Sequence, residues 1–190
     1  MGQFISKWLE QSHRRKQIVL AFHQPLTVMQ LCRRVGMRQS YCSTLLAGLL
    51  EGDIVECLTP SARSSRVYDL TLRGEAWRRR LERKAGVSAR PREFPDVPWS
   101  LYGFVCHRHR SVIVKSLTTA MQPAHIKRRA RYLYTGIRMS ANNVRDIIRL
   151  FKVKGIVEPV VVTKKAHIHY QLTDLGQRLR TLLMNAEAIA

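Results

Sequence analysis

The chain has 190 residues, enough for one large or two small domains. Hydrophobic residues make up 45% with few aromatics, which suits aliphatic cores and excludes a chain disordered throughout, and no apolar run approaches the roughly 20 residues of a membrane-spanning helix. The 33 Lys and Arg against 13 Asp and Glu give a net charge of +20, an excess that repels itself in a folded chain and makes best sense opposite a polyanion.

The first predicted element is a helix over about Ser12 to His23 carrying Ile18, Val19 and Phe22, ended by Pro25. Thr27 is placed to cap a short second helix through Arg34, with Val28, Leu31 and Cys32 inward, and Gly36 supplies the turn. Ser40 is expected to cap a third helix. In it Cys42, Leu45, Leu46 and Leu49 recur at helical spacing, while Tyr41, Ser43, Thr44 and Ala47 face outward. Gly52-Asp53 closes that helix. Ile54 to Leu58 and Arg66 to Leu70 read as a hairpin around a Pro/Ser/Arg tip, and Thr71 caps a last helix through about Lys84.

Residues 86–99 contain Pro91, Pro95 and Pro98 and read as a stiff linker. Trp99, Tyr102 and Phe104 are expected to anchor its far end. The order then repeats: Val112, Ile113 and Leu117 mark a first helix, Pro123 opens a second, and Ser140 caps a third with the stripe Val144, Ile147, Ile148 and Phe151. Gly155 ends it, strands follow over about Ile156 to Val162 and His167 to Leu172, and Thr173 caps the closing helix.

The repetition is written in the residues. Ile54-Val55-Glu56 recurs as Ile156-Val157-Glu158, an offset of 102, and Tyr68, Leu70, Thr71, Gly74, Arg78 and Leu81 fall on Tyr170, Leu172, Thr173, Gly176, Arg180 and Leu183. Gly36-Met37-Arg38-Gln39-Ser40 resembles Gly136-Ile137-Arg138-Met139-Ser140 at an offset of 100. One unit occurs twice, and the division expected is residues 1–85, a linker over 86–100, and residues 101–190.

The passage Ser43-Thr44-Leu45-Leu46-Ala47-Gly48-Leu49-Leu50-Glu51-Gly52-Asp53-Ile54-Val55 resembles the recognition-helix-to-strand region of MarR- and ArsR-like transcription regulators. Tyr68-Asp69-Leu70-Thr71-Leu72-Arg73-Gly74 and Tyr170-Gln171-Leu172-Thr173-Asp174-Leu175-Gly176 are similar to their second wing strand and L-T-x-x-G helix start. The resemblance covers about residues 12–84 and 105–185. It implies a mainly α chain with small β-hairpin wings (α+β), two tandem winged helix-turn-helix domains where such regulators usually carry one per subunit.

The function so implied is sequence-specific binding of double-stranded DNA by a transcriptional regulator whose units read two adjacent half-sites. The third helices would enter the major groove. In the first unit the candidate contacts are Arg38, Gln39, Ser40, Tyr41, Ser43 and Thr44; in the second, Arg138, Ser140, Asn142, Asn143, Arg145 and Arg149. The second set is better equipped, because Arg forks to guanine and Asn to adenine. Arg63 and Arg66 in one wing and Lys164 and Lys165 in the other sit where a wing meets backbone or minor groove. The run Lys127-Arg128-Arg129-Ala130-Arg131, with no acid to balance it, is placed to cross phosphates, through Lys127, Arg128 and Arg129 above all.

Rival readings share the fold or the charge. A plasmid-type replication initiator also uses tandem winged helices; an RNA-binding winged-helix protein would add exposed aromatics, for which Tyr41, Tyr132 and Tyr134 are the candidates. A protein-interaction adaptor would not need +20. A homodimer through the amino-terminal or closing helices is a further expectation, with Phe4, Trp8 and Leu9 at the amino end.

No metal, cofactor or catalytic site is expected. Cys106-His107-Arg108-His109 and His167-Ile168-His169 hold potential ligands but no CxxC-type pair, and no Gly-rich phosphate loop, HExxH or GxSxG occurs. Cys32, Cys42, Cys57 and Cys106 lack paired spacing and are expected as free thiols in a reducing compartment. An amino terminus without a signal-peptide pattern, and no amphipathic helix suited to a membrane surface, place the expected location in the cytoplasm with the nucleoid, or in a nucleus.

Overall fold

A computed structural model describes residues 8–87, 92, 94–160 and 168–187. Ser12 starts the first long helix by accepting a hydrogen bond from the Arg15 amide, and α1 (His13–Ala21) buries Ile18, Val19 and Ala21. It stops at Ala21, before Pro25 is reached. Thr27 and Gln30 then form a reciprocal capping box, so that two amides at the start of α2 (Val28–Val35) are satisfied locally. Gly36 takes the left-handed conformation at φ +63° and turns the chain into α3 (Gln39–Glu51).

The cap of α3 differs from expectation. Arg38 holds the N-cap position with no side-chain hydrogen bond, and Ser40 lies one residue inside the helix. Its carbonyl accepts from the Thr44 hydroxyl at 3.2 Å. A chain leaving the turn in extended geometry at Arg38 begins the helix before Ser40 is reached.

Leu26–Thr27 forms a strand, β1, that periodicity did not signal. It pairs antiparallel with β3 (Val67–Leu70), which pairs on its other edge with β2 (Val55–Cys57), giving the order β1-β3-β2. Thr71 caps α4 (Leu72–Lys84) by accepting from the Gly74 amide at 3.0 Å. The core between these elements contains Phe22, Leu31, Leu46, Leu49, Ile54 and Trp77; truncating any of the aliphatic ones to Ala would cost about 2–5 kcal/mol.

The chain divides into two compact units, residues 1–94 with 186–190 and residues 95–185. The division falls inside the stretch expected as a linker. Its far end is helical: α5 (Trp99–Val105) follows Pro98, so helix covers residues 99 and 100. In the second unit Tyr102 is fully buried and meets Trp99 edge-on, and Phe104 meets Phe151 edge-on with the Arg110 guanidinium 3.9 Å from its ring centre. These contacts pin α5 against its unit.

The remaining elements follow the expected order: α6 (Arg108–Ser116), α7 (Pro123–Leu133) with Pro123 in the first turn, α8 (Ala141–Val153), β4 (Val157–Val160), β5 (His169–Leu172) and α9 (Asp174–Glu187). β4 and β5 pair antiparallel, and Met121 and Tyr170 exchange two backbone hydrogen bonds of 2.9 Å where β1 pairs in the first unit. The architecture is mainly helical with small antiparallel sheets.

The repeat is reproduced bond for bond at the corner after each hairpin. The Thr71 amide donates to Ile54 O and the Thr173 amide to Ile156 O, both at 3.1 Å. The Thr71 hydroxyl donates to Asp53 O at 2.7 Å, and that of Thr173 to Gly155 O at 2.6 Å. Thr173 also accepts from the Gly176 amide at 3.1 Å, as Thr71 does from Gly74.

Candidate nucleic-acid interface

In the second unit Ile126 and Ala130 of α7 are fully buried. Residues between and beyond them therefore point away from the core, and this sequence fills those places with Lys127, Arg128 and Arg131. Lys127, Arg131 and Arg138 line one cleft of about 360 Å³ together with Thr135, Ile137 and Met139, with no acid among the lining residues. Arg128 is exposed; Arg129 is half-buried, and its Nε is enclosed without a hydrogen-bond partner, so it leans toward the protein more than its neighbours do. Arg108 of α6 donates to the carbonyl of Gly136 at 2.7 Å and holds the turn between α7 and α8.

Ser140 caps α8 by accepting from the Asn143 amide at 3.0 Å, as expected. Val144, Ile147, Ile148 and Phe151 are buried, which turns Asn142, Arg145 and Arg149 outward. Asn143 is half-buried. Arg145 donates to Asn142 at 3.3 Å and Arg149 to Asp146 at 3.1 Å, pairs so exposed that each is worth well under about 1 kcal/mol and leaves the guanidinium available. Arg145 and Arg149 also line a cleft of about 580 Å³ with Gln122, Pro123, Ile148 and Tyr170.

In the first unit Arg38, Gln39, Ser40, Tyr41, Ser43 and Thr44 are all exposed on α3 or its cap. Arg63 and Arg66 are exposed beside the hairpin tip, where the Arg66 Nε donates to Ala62 O at 2.9 Å. Lys164 and Lys165, the other wing candidates, lie outside the described residues, as does His167.

The structure thus gathers Lys127 and Arg138 at one cleft, and Arg145 with Arg149 at another; α3 itself carries no Lys or Arg. Arg131, from the same acid-free run as Lys127, belongs with the first pair. Of the arginines following Trp77, Arg78 is turned away from solvent: it is 2% exposed and bonded to Glu75 and Glu82.

Among the described residues no group of three or more His, Cys, Asp or Glu is placed to hold a metal ion, and no helix is long and apolar enough to cross a membrane. No family model, curated protein or solved structure matches the chain.

Proposed function

We propose that each unit is a winged helix and that the chain is a duplex-DNA-binding protein acting as a transcriptional regulator. The observation that carries this reading is the joint placement of Lys127, Arg128, Arg131, Arg138, Arg145 and Arg149 on α7, the following turn and α8. Residues 95–185 hold 16 Lys and Arg against 4 Asp and Glu, and the only acid on α7 or α8 is Asp146. A surface that presents exposed cations from two successive helices and the turn between them, with one acid among them, suits a line of phosphates, with α8 at the base edges.

Affinity for random duplex DNA, single-stranded DNA and structured RNA across a salt series tests the reading. Duplex DNA is expected to bind best, with log K falling by about 0.9 per contacted phosphate for each tenfold rise in salt. Preference for RNA, or no binding at physiological salt, overturns it.

A further inference from the structure

The two units share a framework, so their outward positions on α3 and α8 compare one to one. At the offset of 102 that equates Thr71 with Thr173 and Gly74 with Gly176, the helix positions Ser40, Tyr41, Ser43 and Ala47 correspond to Asn142, Asn143, Arg145 and Arg149. The inward stripes remain apolar in both, Cys42, Leu45, Leu46 and Leu49 against Val144, Ile147, Ile148 and Phe151. Only the outward faces have diverged. That of α8 carries two guanidiniums; that of α3 carries none, its cation Arg38 standing at the cap ahead of the first turn.

Side chains of these two kinds ask for different base edges. A guanidinium forks to the O6 and N7 of guanine, and an Asn amide pairs with adenine. The α3 face offers Gln39, whose amide also suits adenine, together with the methyl groups of Thr44 and Ala47, which suit the C5-methyl of thymine. Nothing on the exposed face of α3 within the helix makes the forked bond that selects guanine.

We propose that the chain recognises a composite duplex site made of two unlike elements: a guanine-containing one read by α8 and an A·T element read by α3 through Gln39, Thr44 and Ala47. This rests on the duplex-DNA reading above and adds to it that the target has no internal repeat, although the protein does. The α8 element supplies most of the affinity through charge, and the α3 element supplies preference with little salt dependence.

Selection from a random duplex library with the full chain tests this. The expected outcome is two different elements in every enriched site. The double variant Arg145→Gln/Arg149→Gln loses the guanine-containing element and binds the wild-type site about ten- to a hundredfold more weakly, while the A·T element is still selected. Replacing thymine by deoxyuridine in the A·T element weakens the wild-type chain about fourfold per contacted methyl. Two copies of one element, guanine in both elements, or indifference to deoxyuridine overturns the proposal. Tight binding of random duplex without any enriched sequence also overturns it and leaves the duplex-binding function standing; absence of duplex binding overturns that function itself.

Discussion

Gly74 packs so closely beneath Ile54 that a Cβ on it would stand 1.9 Å from the Ile54 carbonyl oxygen, and Gly176 meets Ile156 in the same way at 2.2 Å. That oxygen already accepts the following threonine's amide, so it is backbone fixed in the corner between hairpin and helix. Gly74→Ala and Gly176→Ala each force the helix off the strand. Each is expected to destabilise its unit by at least about 1–3 kcal/mol, read as a lower urea midpoint by circular dichroism. An unshifted midpoint in either variant would show that the close approach is not maintained in solution.

Asp53 and Gly155 occupy equivalent places after α3 and α8, with φ at +55° and +67°. A side chain in that left-handed region costs about 1–2 kcal/mol, less for Asp than for most residues. Gly155→Ala is therefore expected to lose about 1 kcal/mol, whereas Asp53→Gly, which removes the same kind of strain, loses nothing or gains up to about 1 kcal/mol. Thermal melts of the two variants should move in different directions from the parent; equal losses would refute the assignment of strain.

Glu75 connects three arginines, the exposed Arg79 at 3.4 Å among them. It accepts from Arg78 at 3.1 Å and lies 3.3 Å from Arg92, which also pairs with Asp69. Partial burial works to raise the Glu75 carboxyl, but Arg78 and Arg92 outweigh it and hold it below its ordinary value. A carboxyl depressed in the folded state adds stability that is complete above its unfolded value of about 4.3 and lost as the pH falls through the folded one. Asp69 acts in the opposite sense: burial raises it above its ordinary value despite Arg92, so its protonation favours the fold as the pH falls. Glu75→Gln should thus flatten the acid limb of the stability curve below about pH 4.5 and Asp69→Asn should steepen it. Identical limbs in parent and Glu75→Gln would exclude the network as their source.

Arg78 also bonds Glu82 at 2.8 Å in a nearly dry setting. Arg78→Ala leaves that carboxylate without its counter-charge and is expected to cost about 3–5 kcal/mol by chemical denaturation. The equivalent residue of the second unit, Arg180, donates instead to the Lys115 carbonyl at 3.4 Å, and Arg180→Ala should cost clearly less. A loss as large at Arg180 as at Arg78 would contradict this.

Cys42 is fully buried between α2 and α3, and burial pushes its thiol up to about 12, with the neighbouring Cys32 thiol adding to the rise. Thiolate is the reactive form, so a thiol reagent at pH 8 should modify the half-buried Cys57 and Cys106 in the folded chain and reach Cys32 and Cys42 only after denaturation. Four equally fast thiols under native conditions would refute the packing of α2 on α3.

The sequence by itself determined the order of elements, because that order is carried by local and periodic signals. Apolar spacing marked α3 and α8, and Thr27, Thr71, Ser140 and Thr173 marked helix starts within three residues of the amides they accept from. The offset of 102 between the halves foretold equivalent corners, since identical residues at identical spacing make the same short-range bonds.

Only the tertiary structure decided what depends on partners distant along the chain. β1 has two residues, too few for a period, and exists because Leu26 and Thr27 meet Tyr68 and Val67 some forty residues later. Ser40 lost the cap of α3 to Arg38 because the turn at Gly36 sets where extended backbone ends. Arg78 and Arg79 are neighbours in an arginine run, yet one is buried in ion pairs and the other is exposed, a difference fixed by which face of α4 meets the core. The charge of +20 was legible as composition and its distribution over the helices as periodicity; that Lys127 and Arg131 share a cleft with Arg138 required α7 and the turn after it to be folded together.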